Sequence, residues 1–300
     1  MTTGVPPLLL LSDVDGTLLG DDGARPVPAS QLRAVLARTA RQWAGGLQVG
    51  LASSRTLREL TVLQRALALP GPCIAEDGAR HALDSSAVVD HGVRASAQGR
   101  ERHGRRLLLT WQHAAPAAAL REIMADEPRM ARADTQRQSA AQLAALGFRT
   151  PGAVRRALVA RTHSMLLDPH GWSSDDLTDL RAHTAARGLQ LRRGGRWFTL
   201  TMVDGKGPAL RALRHHCTVR GVPPLIAAIG NEENDQSLLA EADCRFVIRN
   251  PQRGPHPALS SLPDAVVLDT EGPGGWMEML DRLVPCAQEL LAARALGVSR

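Results

Sequence analysis

The chain has 300 residues, 44% of them hydrophobic, enough to bury a sizeable core and to carry a second domain inserted in the first. No apolar run approaches the roughly eighteen residues of a membrane span, and Leu8 to Leu11 is too short and lacks the basic flank of a secretory signal, so a soluble cytoplasmic protein is expected. The net charge is +6, but residues 86–198 alone carry +8 and the remainder −2, which suits an anionic small substrate; with no tyrosine and 3% aromatics the stacking platforms of a single-strand nucleic-acid binder are scarce.

In chain order, an apolar run from Val5 to Leu11 predicts a strand that ends in the polar SDVDGT. A helix follows over Pro28 to Trp43, then a strand Leu47 to Ala52 ending in SSRT, a helix Thr56 to Leu67 closed by Pro70 and Gly71, and a strand Cys73 to Ala75 ending in EDGA. Polar residues gather wherever a strand finishes, as in a parallel sheet with its site beyond the carboxyl ends. The middle segment mixes strands (Leu107 to Trp111, Met165 to Leu167, Leu189 to Arg192) with helices near Ala117 to Met124, Thr135 to Leu146 and Ser174 to Arg187, the pattern of a separate α+β unit. Alternation then resumes: helix Lys206 to Val219, strand Leu225 to Ile229, helix Gln236 to Ala242, strand Arg245 to Ile248 and a last helix Trp276 to Leu296. The fold class is α/β, a doubly wound, Rossmann-like parallel-sheet core over 1–85 and 199–300 with an α+β domain inserted over 86–198. Cys73, Cys217, Cys244 and Cys286 are scattered with no CxxC pair, which argues against a disulfide framework and a structural zinc site.

Four segments at strand ends or helix starts supply what phosphoryl transfer through an aspartyl-phosphate requires. In LLSDVDGTLL, Asp13 and Asp15 converge as the strand unwinds, one to attack phosphorus and the other to protonate the leaving oxygen and then activate water. Two carboxylates facing a dianionic phosphate call for a metal ion, here Mg2+. Ser53, with Arg55 beside it, offers a hydroxyl and backbone N–H groups to phosphate oxygens. Lys206, the sole lysine of a chain that otherwise uses arginine, opens a helix and offers a point charge to the transferring group. GNEENDQSLL supplies Asn231, Asn234 and Asp235 as oxygen donors.

With these residues in place, the chain resembles the haloacid-dehalogenase-like (HAD) phosphatases, whose motifs are DxDGT, a Ser/Thr after the second strand, a Lys and GDxxND. Within them it is most similar to mannosyl-3-phosphoglycerate phosphatases, through ASSRTLREL, AEDGA, AALGFRTPGAVRRALVARTHSMLL, GGRWFTL, DGKGPAL and VIRNP. The resemblance implies a core that performs the chemistry under a mobile cap of the larger, C2 type. It implies Asp13, Asp15, Ser53 and Lys206 as catalytic residues and Asp13, Asp15, Asn231 and Asp235 around the metal. Arg55, Asp77, Asn234 and the cap arginines Arg161 and Arg196 would meet the substrate, a small phosphorylated sugar or sugar-acid. Sucrose phosphate and glucosyl-3-phosphoglycerate stay open as alternative substrates. Two positions depart from the family pattern: Asn231 stands where Asp ligates magnesium, and Asp77 where relatives have Asn. The first of these keeps a weakly active binding protein open as a further reading.

Overall fold

A computed structural model of the chain describes residues 4–20, 25, 27–69, 71–84, 97–103, 106–111, 113–145, 154, 158, 161–195, 197–218 and 221–297. The first half of the core runs β1 (Leu8–Ser12), α1 (Ala29–Gln42), β2 (Leu47–Ala52), α2 (Leu57–Leu67), β3 (Cys73–Ala75), β4 (Arg80–Asp84), β5 (Ala97–His103) and β6 (Arg106–Trp111). The inserted unit follows, with α3 (Ala117–Ile123), α4 (Pro128–Ala133), α5 (Ala140–Ala145), β7 (Met165–Leu167), α6 (Ser174–Ala185), β8 (Gln190–Gly194) and β9 (Trp197–Thr201). The core then closes with α7 (Lys206–His216), β10 (Leu225–Gly230), α8 (Gln236–Glu241), β11 (Cys244–Arg249), α9 (Pro257–Ser260), β12 (Ala265–Glu271) and α10 (Gly272–Ala295).

Among the described residues the main sheet has the order β12-β11-β10-β1-β2-β3-β4-β6-β5, parallel from β12 to β3. β1 lies between β10 and β2, and every one of its residues is buried, which is why its sequence is an unbroken apolar run rather than an alternation. The two-residue period still sorts the side chains. Leu8 and Leu10 join Leu32, Leu60, Leu67, Trp276 and Met279 on one face of the sheet, while Leu9 and Leu11 join Leu210, Leu213, Leu238 and Leu239 on the other. Helices α1, α2 and α10 thus cover one side and α7 and α8 the opposite side, a three-layer core. The entry to α2 is fixed by a capping box, in which Thr56 Oγ1 accepts from the Glu59 N–H while Glu59 Oε2 accepts from the Thr56 N–H at 2.9 Å.

Several expectations are corrected. The strand around Leu107 to Trp111 was expected in the inserted unit, but β6 pairs antiparallel with β4 (Arg80↔Thr110, Asp84↔Arg106) and extends the main sheet. Leu107 and Leu109 pack with Leu83 in the core cluster that also holds Leu9 and Leu11, so their alternation records burial under the main sheet. The expected boundary near 85–86 falls outside the described residues. The expected helix Thr135 to Leu146 is a 3-10 turn at Thr135–Arg137 followed by α5, because Ser139 accepts from the Gln142 N–H and Gln142 Oε1 from the Ser139 N–H, a fresh N-terminal cap. Strands β4, β5 and β12 were not predicted. The inserted unit keeps its own sheet, β7-β9-β8, and its own core of Leu120, Met130, Met165, Leu167, Leu180, Leu189, Leu191, Phe198 and Leu200.

On β4, the buried His81 lies edge-on to Trp111 with ring centroids 5.8 Å apart. Burial, then His216 and Arg80, push its pKa down from 6.5 to about 3. The unfolded chain therefore binds this proton more tightly, and the stability His81 contributes as a neutral ring is present above pH 6.5 and drains away as pH falls toward 3. Urea unfolding at pH 7, 6 and 5 should show His81→Leu losing up to about 1.4 kcal/mol less per pH unit than the wild type; parallel slopes in the two proteins would show that His81 does not titrate in this way.

Candidate active site

Strands β1 and β10 end side by side, and the site is built on that adjacency. The Asp13 N–H donates to the Ile229 carbonyl at 3.0 Å, carrying the β1–β10 ladder one residue past the strand. Ser12 Oγ donates to the Asp13 carbonyl at 2.6 Å and accepts from Trp276 Nε1 at 2.9 Å, fixing the backbone from below. Gly16, at φ +73°, donates its N–H to the Leu19 carbonyl at 2.7 Å and turns the chain away.

Lys206 opens α7 with no exposed surface. Its Nζ donates to Asp13 Oδ1 at 2.9 Å and to Asp235 Oδ1 at 2.6 Å, and lies 3.9 Å from Asp77 Oδ1. A compact ammonium can face three carboxylates from one point, where the flat fork of arginine cannot. Burial alone would lower the lysine pKa, but Asp13 and Asp235 outweigh it and raise it. Burial, and then Asp235, push Asp13 upward against the pull of Lys206.

Asp235 does not stand free as the metal ligand expected from sequence. Its Oδ1 takes Lys206, and its Oδ2 accepts from the N–H groups of Asn231 at 3.0 Å and Glu232 at 3.2 Å, so both oxygens serve protein donors. Gly230 makes room for this tuck, since a Cβ there would lie 2.5 Å from the Asp235 side chain. Asn234 Nδ2 donates to Asp77 Oδ1 at 3.0 Å. Ser53 is buried after β2, with its Oγ accepting from the Arg55 N–H at 3.2 Å. Arg55 grips Asp15 with both arms, Nε to Oδ2 at 2.9 Å and Nη2 to Oδ1 at 2.5 Å. Burial would lower the Arg55 pKa, and Asp15 more than reverses that. Arg161 is placed differently from the expectation: it is buried and donates Nη1 to the Ser54 carbonyl at 2.5 Å and to Ser164 Oγ at 3.1 Å, tying the inserted unit to the core rather than reaching toward a substrate. Arg196 and most of the stretch AALGFRTPGAVRRALVARTHSMLL lie outside the described residues.

Among the described residues no three His, Cys, Asp or Glu side chains form a metal cage. A divalent cation fits the donor set on a different observation: among the described residues Asn231 Oδ1 and Asp77 Oδ2 are buried oxygens with no hydrogen-bond partner, a costly state that a hard cation or a bound donor relieves. Sequence reasoning missed Glu76, whose neighbours are eighty-odd residues away in the chain and leave no local signal.

No family model matches the sequence. By structure, the chain is similar to a haloacid dehalogenase-like hydrolase from B. subtilis (TM-score 0.62, 15% identity, 92% of this chain and 99% of that one). It is likewise similar to a sugar phosphatase of HAD subclass IIB (TM-score 0.56, 14% identity, 97% and 99%). A third likeness is the sucrose-phosphatase of Synechocystis, solved with sucrose and phosphate (TM-score 0.52, 20% identity, 92% and 97%). The chain therefore has the haloacid-dehalogenase-like fold, a central parallel sheet between helical layers. Among the described residues no helix is long and apolar enough to cross a membrane.

Lys206→Met should leave Asp13, Asp77 and Asp235 buried around an apolar group, at a cost of roughly 3–5 kcal/mol in urea or guanidinium unfolding at neutral pH. An unfolding midpoint equal to that of the wild type would mean that the carboxylates do not depend on the ammonium.

Proposed function

We propose that the protein is a Mg2+-dependent phosphomonoester hydrolase that uses Asp13 as a covalent nucleophile on a small phosphorylated sugar or sugar-acid, mannosyl-3-phosphoglycerate being the first candidate. The observation that carries this reading is the carboxylate of Asp13, held at the end of β1 by the buried ammonium of Lys206, with Ser53 and the Arg55–Asp15 pair near the ends of the neighbouring strands.

Lys206 holds Asp13 Oδ1, which leaves Oδ2 to attack phosphorus and form the aspartyl-phosphate as the bond to the leaving alkoxide breaks. Asp15, released from Arg55 when the substrate's anionic group draws the guanidinium away, takes up a proton from solvent and passes it to the alkoxide. It then takes a proton from the water that attacks phosphorus, freeing phosphate and restoring Asp13. Ser53 Oγ and Lys206 Nζ donate to the phosphoryl oxygens, where negative charge gathers. Magnesium would be held by Asp13, the main chain at Asp15 and the unpartnered Asn231 Oδ1, and would neutralise the facing negative charges when bound.

The test is phosphate release with added magnesium from mannosyl-3-phosphoglycerate, its glucosyl counterpart, sucrose phosphate and simple hexose phosphates. One preferred substrate is expected, and Asp13→Asn should lose about 10^3-fold or more of the activity on it. Preference for a sugar phosphate without a glycerate group would discard the first candidate and keep the chemistry. No turnover with magnesium or manganese, together with retained binding of phosphate, would favour the weakly active binding protein that the asparagine at 231 leaves open. In calorimetric titration Asn231→Asp should bind magnesium about ten-fold more tightly, since it restores a negative charge at the ligand position; unchanged affinity would remove Asn231 from the metal site.

A further inference from the structure

Glu76 lies in the loop after β3 and is 1% exposed, and its carboxylate is turned to the inserted unit. Among the described residues the hydrogen-bond donors to its carboxylate come from one short stretch of the inserted unit, just before β7. The Thr162 N–H reaches Oε2 at 3.1 Å, Thr162 Oγ1 reaches Oε1 at 2.7 Å, the His163 N–H reaches Oε2 at 2.8 Å and Ser164 Oγ reaches Oε2 at 2.8 Å. Burial alone would raise the carboxyl pKa, and these donors, with Arg161 nearby, reverse the shift and lower it. A carboxylate taken this far out of water persists only because its lone pairs are filled.

The loop that bears it is under backbone strain. Glu76 and Asp77 sit at φ +49° and +51°, in the left-handed region that side chains other than glycine avoid, and Gly78 follows at φ +104°. Gly78 is pressed against the residue that precedes Lys206, for a Cβ on it would lie 2.1 Å from the Gly205 carbonyl oxygen. Asp77, between them, faces Lys206 and Asn234. The same stretch of the inserted unit touches the loop after β2 as well, because Arg161 donates to the Ser54 carbonyl between Ser53 and Arg55. Residues 161–164 therefore brace two core loops, one bearing Ser53 and Arg55 and the other bearing Asp77 beside Lys206, and they lead directly into β7, which pairs with β9, the strand that runs on toward Lys206.

We propose that Glu76 is a positioning residue: its carboxylate fastens the linker Arg161–Ser164 to the core so that the placement of the inserted unit and the geometry of the Ser53 and Asp77 loops are set together. In the free protein this is a purely structural link. Its catalytic consequence rests on the phosphatase reading above, and the test keeps the two apart.

Hydrogen exchange on the full chain reads the link itself. In Glu76→Gln the new amide group turns N–H toward donors, and the Thr162 and His163 amides should exchange at least about ten-fold faster while those of β1 and β10 hold their protection. Ser164→Ala, which removes one donor and leaves the carboxylate, should show a smaller loss at the same amides and guards against a Glu76→Gln protein that fails to fold. Unchanged exchange at Thr162 and His163 in both variants overturns the proposal. The second readout is steady-state phosphate release, with orthovanadate binding by calorimetry as its turnover-free counterpart. Because a misplaced catalytic loop costs rate more than substrate affinity, kcat should fall about ten-fold or more with KM changed by less than about three-fold, and orthovanadate should bind more weakly. Faster exchange with kcat and orthovanadate affinity both at wild-type values overturns the positioning role and leaves Glu76 a stability residue. If the wild type neither releases phosphate nor binds orthovanadate, the phosphatase reading and the positioning role toward phosphate both fail, and the exchange result alone decides whether Glu76 holds the linker.

Discussion

The burial of one ammonium group among three carboxylates is the constraint on which the rest of this molecule turns. Lys206 has no exposed surface and meets Asp13, Asp235 and, at longer range, Asp77. Each comes from a different part of the chain: the end of β1, the loop after β10 and the loop after β3. Removing such charges from water is expensive, and the expense is offset only when every partner is in position. The helix α7, the β1–β10 pairing and the tight loop at Gly230 can thus be understood as the conditions under which that cluster is tolerable. Excess negative charge remains even so, and among the described residues Asn231 Oδ1 and Asp77 Oδ2 are buried without a hydrogen-bond partner.

The arginine-rich inserted unit shows how misleading a net charge can be. Arg121 pairs with Asp134, Arg187 with Asp126, and Arg129 with Glu127, Asp176 and Asp179, all within the unit. Arg181 crosses to Glu233 and Arg192 to Asp204, near the loops of the core. These guanidinium groups are engaged in holding the unit together and in orienting it, and where they are exposed each contributes little to stability. Among the described residues these five arginines are taken up in ion pairs, so a count of charges along the chain does not by itself locate a basic binding face.

Much of the core was legible in the sequence because strands buried on both faces and helices capped by Thr56 or opened by Lys206 carry local signals. The bounds of β2 and β3 match the reading residue for residue. Strand β4 (RHALD) was hidden by its mixed composition, and β12 by an exposed, polar end at Asp269 to Glu271, since an edge strand need not advertise itself by hydrophobicity. The hairpin of β5 and β6 was seen in part but assigned to the wrong body, because alternation reveals that a face is buried and not against what. The convergence of Asp13, Lys206 and Asp235 followed from their placement at strand ends and a helix start. The Arg55–Asp15 clamp, the employment of Arg161 in the linker and the role of Glu76 did not, for each depends on contacts between residues forty to more than a hundred positions apart.

The place of β1 in the sheet has a consequence for how the chain reaches this structure. Its neighbour on one side, β2, is synthesised soon after it, but its neighbour on the other, β10, lies more than two hundred residues further on. Until that distant strand arrives, an apolar strand has one open edge, and the ladder at the heart of the site cannot form. Loops of that length close slowly, and non-local parallel pairing delays folding. The inserted unit, with its own sheet and apolar cluster, can condense in the interval and shorten the effective loop that separates the two halves. Seen along the time axis of synthesis, the insertion draws the ends of an interrupted core together, and the site cannot form before β10 and the loop after it have been made.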